Sequence, residues 1–497
     1  MRRWALHNPN EQLLMTTTSL RTLVAASLAM TATAPVFADA SDYVPRGEYE
    51  QLKNQFESLR ERLDAMDSAA QPPQAATPVA TSKPANVALN LDVSNFKPGW
   101  ERFRSDDWSW MDHSRYDEMN AKIASGPGFE LFTGMTSAGR FQALQQKNVM
   151  VGTSTTSPAR LEPGFQTAWG SFEFLADFDG QLEVYFDVYL STKAHANQLQ
   201  GHEGYMLMRS LPEPLDEVPG LKQLMAIANV KAGQFDIDFG DHRYRRTDNA
   251  RGQRNAFIGN TLIDPSATEV GVEIFSKPSK INWLVGVGSG SETGTFEDGR
   301  NMGMHGKLWV NFENLRIAGS AYSLDHNTRS TSFSNLYRSS RSGGQYNGVF
   351  DNGNGPGNIF VGAGKSLTAY QVDATWYQPN YELYSHVGYV SEDVITGEES
   401  WQYATFDAIY RFTNRLYVDA RYNVAYADKL RGLESDGRVE RIQIGGGYWL
   451  FKSILFKLEY VNERMSGFRE AEGNVSGVQA WRKPSFQGVI AEFTFSY

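Results

Sequence analysis

Leu416-Tyr-Val-Asp-Ala-Arg-Tyr-Asn-Val-Ala-Tyr426 decides the fold. Leu416, Val418, Ala420, Tyr422, Val424 and Tyr426 fall on one side of an extended chain, and Tyr417, Asp419, Arg421 and Asn423 on the other. One face is apolar and the other carries charge. The same alternation recurs upstream, where Leu182, Val184, Phe186, Val188 and Leu190 oppose Glu183, Tyr185, Asp187 and Tyr189. It recurs downstream, where Ile454, Phe456, Leu458 and Tyr460 oppose Lys457 and Glu459. The last segment sets Val489, Ala491, Phe493, Phe495 and Tyr497 against Glu492 and Thr494.

Such strands fit a soluble sandwich or a barrel that turns its apolar face to lipid. Three features favour the barrel. The alternating runs last roughly 10–13 residues, the length a tilted spanning strand needs. Aromatic residues gather at run ends, at Tyr410 and Phe412 and at Tyr448, Trp449 and Phe451, as an interfacial girdle requires. Short connections alternate with long polar ones. Tight turns fall near Asp179-Gly180, Pro278-Ser279, Glu313-Asn314, Pro379-Asn380, Thr413-Asn414 and Lys452-Ser453, and a longer link runs from Leu211 to about Leu224. Long connections lie near 145–163, 192–201, 240–266, 291–303, 327–365, 394–401, 428–438 and 468–483. The expected fold is therefore all-β, a transmembrane antiparallel β-barrel of about sixteen strands with both ends in the periplasm.

Composition fits. The 497 residues contain no Cys, which excludes disulfides and thiolate chemistry. Mean hydropathy is −0.44, low because lumen-facing residues dilute the lipid-facing ones. A net charge of −10 speaks against nucleic acid as a partner. The eight histidines are scattered, and no HExxH or GxSxG spacing occurs, so the expectation is not an enzyme and no cofactor or metal.

Four regions are expected. Residues 1–38 read as a signal peptide: Arg21 precedes the apolar stretch Leu23–Ala34, and Val36-Phe37-Ala38 gives a small-x-small cleavage site, with Met15 as the expected start. Residues 39–67 read as a short periplasmic coiled-coil helix. Its stripe of Tyr49, Leu52, Phe56, Leu59, Leu63 and Met66 follows heptad spacing, and Leu52, Phe56, Leu59 and Leu63 are the candidate trimerisation contacts. Residues 68–127 begin as a Pro/Ala-rich linker and pass into a Trp-, Asp- and Arg-rich stretch without a period. Residues 128–497 form the barrel.

In a sixteen-strand barrel the lumen holds water, and whatever narrows it sets the function. The third long connection reads Asp241-His-Arg-Tyr-Arg-Arg246, followed by Asp248, Arg251 and Arg254. Folded inward, His242, Arg243, Arg245, Arg246, Arg251 and Arg254 would form an anion-binding constriction, since guanidinium groups match carboxylate and phosphate. Folded outward, they would pair with lipopolysaccharide phosphates or with neighbouring acids. Arg316, Arg411, Arg421, Arg441 and Lys457 are expected on the lumen wall, opposed by Glu173, Asp177, Asp187, Asp236, Asp373, Asp407 and Asp419. The fifth connection, with Arg329, Arg338, Arg341 and a Gly/Asn-rich tract, reads as a lid or a surface loop.

Val230-Lys-Ala-Gly-Gln-Phe-Asp-Ile-Asp-Phe-Gly240 resembles the VGQFxxPFG strand-to-loop signature of the phosphate-selective porin O/P group, and a Thr268-Glu-Val-Gly-Val-Glu273 strand follows it. Asp238 stands where that group has Pro, and no lysine-rich ladder is present. A short coiled coil and Pro/Ala linker ahead of the barrel is similar to the DcaP-type trimeric porins. The resemblance implies a homotrimeric, anion-preferring porin for small, dicarboxylate-like solutes, lying in outer-membrane lipid and lipopolysaccharide. The competing expectation is a non-conducting structural or receptor barrel tethered by its coiled coil.

Overall fold

The computed structural model describes residues 88–92, 99–102, 108, 111, 113, 121–147, 150–151, 154–158, 161–166, 169–191, 199–290, 302–325, 345–349, 366–394, 397–429, 437–466 and 485–497. The signal peptide and the stripe of Leu52, Phe56, Leu59 and Leu63 lie outside the described residues.

Sixteen strands follow one another as neighbours. They are β1 (Phe129–Lys147), β2 (Trp169–Phe178), β3 (Leu182–Ser191), β4 (Leu199–Met208), β5 (Ala228–Asp236), β6 (Thr268–Ser276), β7 (Ile281–Gly288) and β8 (Met302–Asn311). The series continues with β9 (Leu315–Asp325), β10 (Ser366–Tyr377), β11 (Tyr381–Val394), β12 (Gly397–Arg411), β13 (Leu416–Lys429), β14 (Gly437–Phe451), β15 (Ile454–Ser466) and β16 (Ser485–Ser496). Every neighbour pair is antiparallel. The sheet closes where β16 pairs β1, from Ser485 opposite Lys147 to Ser496 opposite Thr136. Closure leaves no exposed edge on the sixteen-strand cylinder.

The connections alternate as the turn residues imply. Links of a few residues join β2 to β3, β6 to β7, β8 to β9, β10 to β11, β12 to β13 and β14 to β15 at one end. The seventh link at that end carries a helix, α1 (Pro219–Ile227), whose Pro at the first position costs no hydrogen bond. Long connections leave the opposite end except between β11 and β12, where only two residues separate Val394 from Gly397 and the strands stay paired, so the long connection expected near 394–401 is instead mostly strand.

Alternation sorts side chains largely as the pattern in 416–426 requires, with Val424, expected outward, buried instead. Leu416, Val418, Tyr422 and Tyr426 are exposed on the outer face, and Asp419, Arg421 and Asn423 are buried inside. Phe172, Phe174, Phe186, Val285, Leu308, Val372, Val387 and Ile444 extend the same apolar belt around the outside. The molecule is thus inverted relative to a soluble protein: charge inside, hydrocarbon outside. Among the described residues no helix is long and apolar enough to cross a membrane.

Two further details differ from the sequence reading. Trp449 is not part of an outward girdle. Tyr410, Phe412, Tyr448 and Phe451 are exposed, but Trp449 is 5% exposed and packs edge-on against Trp100 at 5.7 Å inside the short-turn end. The aperiodic stretch also has structure. Ala121–Gly126 forms a strand that pairs with Phe129–Thr133 of β1, and Ala88–Asp92 pairs with it in turn.

Candidate functional site

The site is the lumen, and the connection between β5 and β6, residues 237–267, fills its centre. The turn inward begins at Gly240, whose φ of +73° is open to glycine and strained for other residues. A Cβ there would collide with Gln371 and His242. His242–Arg245 form one 3-10 turn with all four residues buried. Phe239, Ile258, Leu262 and Ile263 join an apolar cluster inside the barrel with Trp401, Tyr403 and Val461.

All six residues that the sequence marked in this loop are buried inside, so the loop does not stand outside the barrel. Each cation among them that has a described ion pair meets carboxylate. Arg251 bridges Glu173 on β2 and Asp187 on β3, the latter at 2.7 Å, and donates to Tyr185 Oη at 2.6 Å. Arg245 pairs with Glu382 on β11. Arg246 grips Asp264 through two bonds of 2.9 and 3.0 Å and lies 3.1 Å from Asp248. Arg243 donates to the Asp236 carbonyl at 2.9 Å and stands 3.7 Å from Asp238. Arg254 is buried at the margin of a recess described below. His242 donates from Nε2 to the Pro265 carbonyl at 2.7 Å and accepts from Gln371 at 3.2 Å, which requires a neutral ring.

The five expected wall cations also face inward. Arg316 binds Asp241 of the loop through 2.8 and 3.0 Å bonds. Arg421 pairs with its cross-strand neighbour Asp407, and Arg441 with its cross-strand neighbour Glu463 at 2.7 Å. Lys457 pairs with its cross-strand neighbour Glu492 at 2.6 Å and donates to the carbonyls of Gly252, Asn255 and Phe257. Arg411 pairs with Glu382 at 2.6 Å. Of the opposing acids, Glu173, Asp187, Asp236, Asp373, Asp407 and Asp419 are buried, while Asp177 lies only partly covered near the short turns.

Burial alone would raise the loop carboxylates, but neighbouring cations outweigh it. Lys307, Arg243 and His113 hold Asp238 well below the usual carboxylate range, and Arg316 with Lys307 does the same for Asp241. Burial pushes His242 down to about 4 and Arg245 down to about 10, so His242 is neutral and Arg245 charged at pH 7.

Among the described residues a small recess, about 70 Å³, opens at the short-turn end. Arg245, Arg254, Arg411 and Arg421 line it against only two carboxylates, Glu382 and Asp407, with Trp100, Phe257 and Trp449 as apolar walls.

Sequence reasoning missed two contributors. His113, 4% exposed, sits 3.1 Å from Asp238 and stacks near Phe275 at 4.0 Å, so the stretch read as aperiodic enters the lumen. Trp108 donates to the Phe312 carbonyl beside it, and Gly99 to that of Lys452. From the fifth connection, Tyr346 reaches inside to Glu459 at 2.6 Å, and Asn347 binds Gln142 at 2.9 Å. The alternating Trp residues near 100–110 were visible, but no periodicity tied them to the barrel.

No protein family matches the chain. No curated protein matches it either. Solved structures do. The outer membrane channel DcaP of Acinetobacter baumannii is 11% identical, with 75% of this chain and 99% of that chain covered and a TM-score of 0.46. An anion-selective porin from Comamonas acidovorans is 10% identical, covering 74% and 100%, at 0.45. The trimer form of OmpT, an outer membrane protein of Vibrio cholerae, is 9% identical, covering 74% and 100%, at 0.46.

Proposed function

We propose that this chain is an outer-membrane porin through which small hydrophilic solutes, anions in preference, diffuse past an inward-folded third loop. The apolar belt of a closed barrel with a charged interior supports a place in the membrane, because only lipid makes an outward hydrocarbon surface favourable. Long connections face the outside and short turns the periplasm on this reading.

The observation that carries the anion preference is the recess. Four guanidinium groups against two carboxylates leave an excess of positive charge at the short-turn end of the lumen. Guanidinium pairs suit a carboxylate or phosphate by geometry as well as charge. Transverse charge pairs deeper in the lumen order water and favour small polar solutes. No protein group with nucleophile–base geometry is needed for this role, and no cofactor is invoked. Outer-membrane lipid and lipopolysaccharide would cover the belt, and the Leu52, Phe56, Leu59 and Leu63 stripe would join three copies.

The test is a reversal-potential measurement across a planar bilayer under a tenfold KCl gradient. The expected sign is that of chloride preference. A potassium-selective wild type contradicts the charge argument.

A second reading has its own observation. Loop bonds reach walls around the barrel, at Thr136 on β1, Asp187 on β3, Arg316 on β9, Glu382 on β11 and Arg441 on β14, and His113 lies against Asp238 of the loop. That favours a barrel that is structural or a receptor and carries no current. Absence of any conductance from folded wild-type protein would select it.

A further inference from the structure

We infer that the lumen carries a divalent transition-metal site, suited to zinc, formed by His202 of β4, Asp236 at the end of β5 and Asp248 of the inward loop. His202 is 6% exposed, and Asp236 and Asp248 are 5% and 7% exposed. The imidazole Nε2 lies 3.8 Å from Asp236 Oδ1 and 3.6 Å from Asp248 Oδ2. These three donor atoms all fall within 4.8 Å of one another.

The independent sign of a ligand is His202 itself. It is a buried imidazole aimed into a set of carboxylates, yet neither ring nitrogen has a hydrogen-bond partner among the described residues. Carboxylate oxygens are near, but at 3.6–3.8 Å they stand beyond hydrogen-bond reach. Donors that share one ion at about 2.0–2.2 Å stand roughly 3.3–3.6 Å apart in tetrahedral geometry. The observed spacing is close to that of ligands around a common centre. It is too long for a direct hydrogen bond.

The surroundings fit the same assignment. Asp187 Oδ2 lies 3.7 Å from the other ring nitrogen, Nδ1, on the side from which a small shift would let it accept the N–H of a metal-bound histidine. Asp187 is itself fixed by Arg251 at 2.7 Å. Arg246 holds the far oxygen of Asp248 at 3.1 Å and leaves Oδ2 pointing to the imidazole. Glu203 accepts the Asp236 backbone N–H at 3.1 Å, which locks the end of β5. One imidazole with two carboxylates selects zinc-like ions over calcium or magnesium, which take oxygen alone. Because Asp248 belongs to the loop and His202 to the wall, the ion would staple the constriction to the barrel.

The test is zinc titration by calorimetry of chelator-treated protein in detergent, with melting temperature read in parallel. The expected result is a saturable zinc site that raises the melting temperature and disappears in His202→Gln. Asp248→Asn, which keeps the loop's shape, should weaken zinc binding at least tenfold. His305→Gln, removing the buried histidine that bonds Glu273, should leave the zinc affinity unchanged. Heat-modifiable gel mobility confirms that each variant is folded. Folded wild-type protein that binds no zinc overturns the inference and leaves His202 as a protonated counter-ion. So does a folded His202→Gln that retains the wild-type affinity.

Discussion

The two walls of the lumen hold the same loop by opposite means. Along β2 and β3 the register sets Glu173 directly across from Asp187, two carboxylates facing each other inside the barrel. Like charges in that position repel, and Glu203 of β4 adds a third nearby. The wall is charge-incomplete until the loop supplies Arg251, which touches all three, Glu203 at 3.9 Å. Along β12 to β16 the register pairs opposite charges without the loop: Asp407 with Arg421, Arg441 with Glu463, Lys457 with Glu492. The spare donors of these cations then take backbone carbonyls of the loop, Gly259 by Arg421, Asn260 by Arg441, and Gly252, Asn255 and Phe257 by Lys457. One wall needs a loop side chain to neutralise it, and the other pairs these charges by itself and meets the loop through its backbone, donating to its carbonyls and, from Glu459 and Asn423, accepting its N–H groups. The first contact is therefore side-chain specific, and the second tolerates sequence change in the loop.

That contrast predicts an order of effects. Arg251→Met should cost most, about 3–5 kcal/mol, because it strands buried carboxylates. Melting in detergent should show it, and adding Glu173→Gln and Asp187→Asn in the same chain should recover much of the loss. An Arg251→Met protein as stable as wild type would erase the difference between the walls. Lys457→Met should cost less, about 1.5–3 kcal/mol, since Glu492 keeps its pair with Arg140. Noisier single-channel current is the accompanying sign, from a loop freed near Gly252–Phe257. Arg254→Gln with Arg411→Gln should cost about 1–2 kcal/mol, since Glu382 loses Arg411 but keeps Arg245, and should move the reversal potential toward zero. Unchanged selectivity would remove the recess from the account.

A separate effect is acid sensitivity. His242 has its folded pKa lowered by burial, from 6.5 to about 4. Between those values the unfolded chain binds the extra proton, so stability rises with pH across the window and is lost as pH falls from 6.5 toward 4. Melting temperatures between pH 7.5 and 4 should show a shallower decline for His242→Gln than for wild type.

The walls also show what could be read from sequence. Alternation in segments such as 182–190 and 416–426 marked faces, and the spacing of turns gave sixteen strands, because both signals are local. The inward loop was legible as a run of arginines. Their partners were not, since Glu173 lies 78 residues from Arg251 and Glu382 lies 137 from Arg245. Register alone decides whether a wall cation already has a cross-strand acid, and one chain does not print its register. Trp449 was put on the wrong face because it was grouped with Tyr448, although successive strand residues must point to opposite sides. His113 enters the lumen from a stretch with no period at all, so nothing local announced it.

The most direct test of the account is single-channel current in planar bilayers from the wild type and from a chain with 241–263 replaced by a short Gly/Ser link. The account predicts small, chloride-preferring steps from the wild type and several-fold larger, weakly selective steps from the shortened chain. Equal conductance and selectivity from the two would contradict the claim that this loop is the constriction.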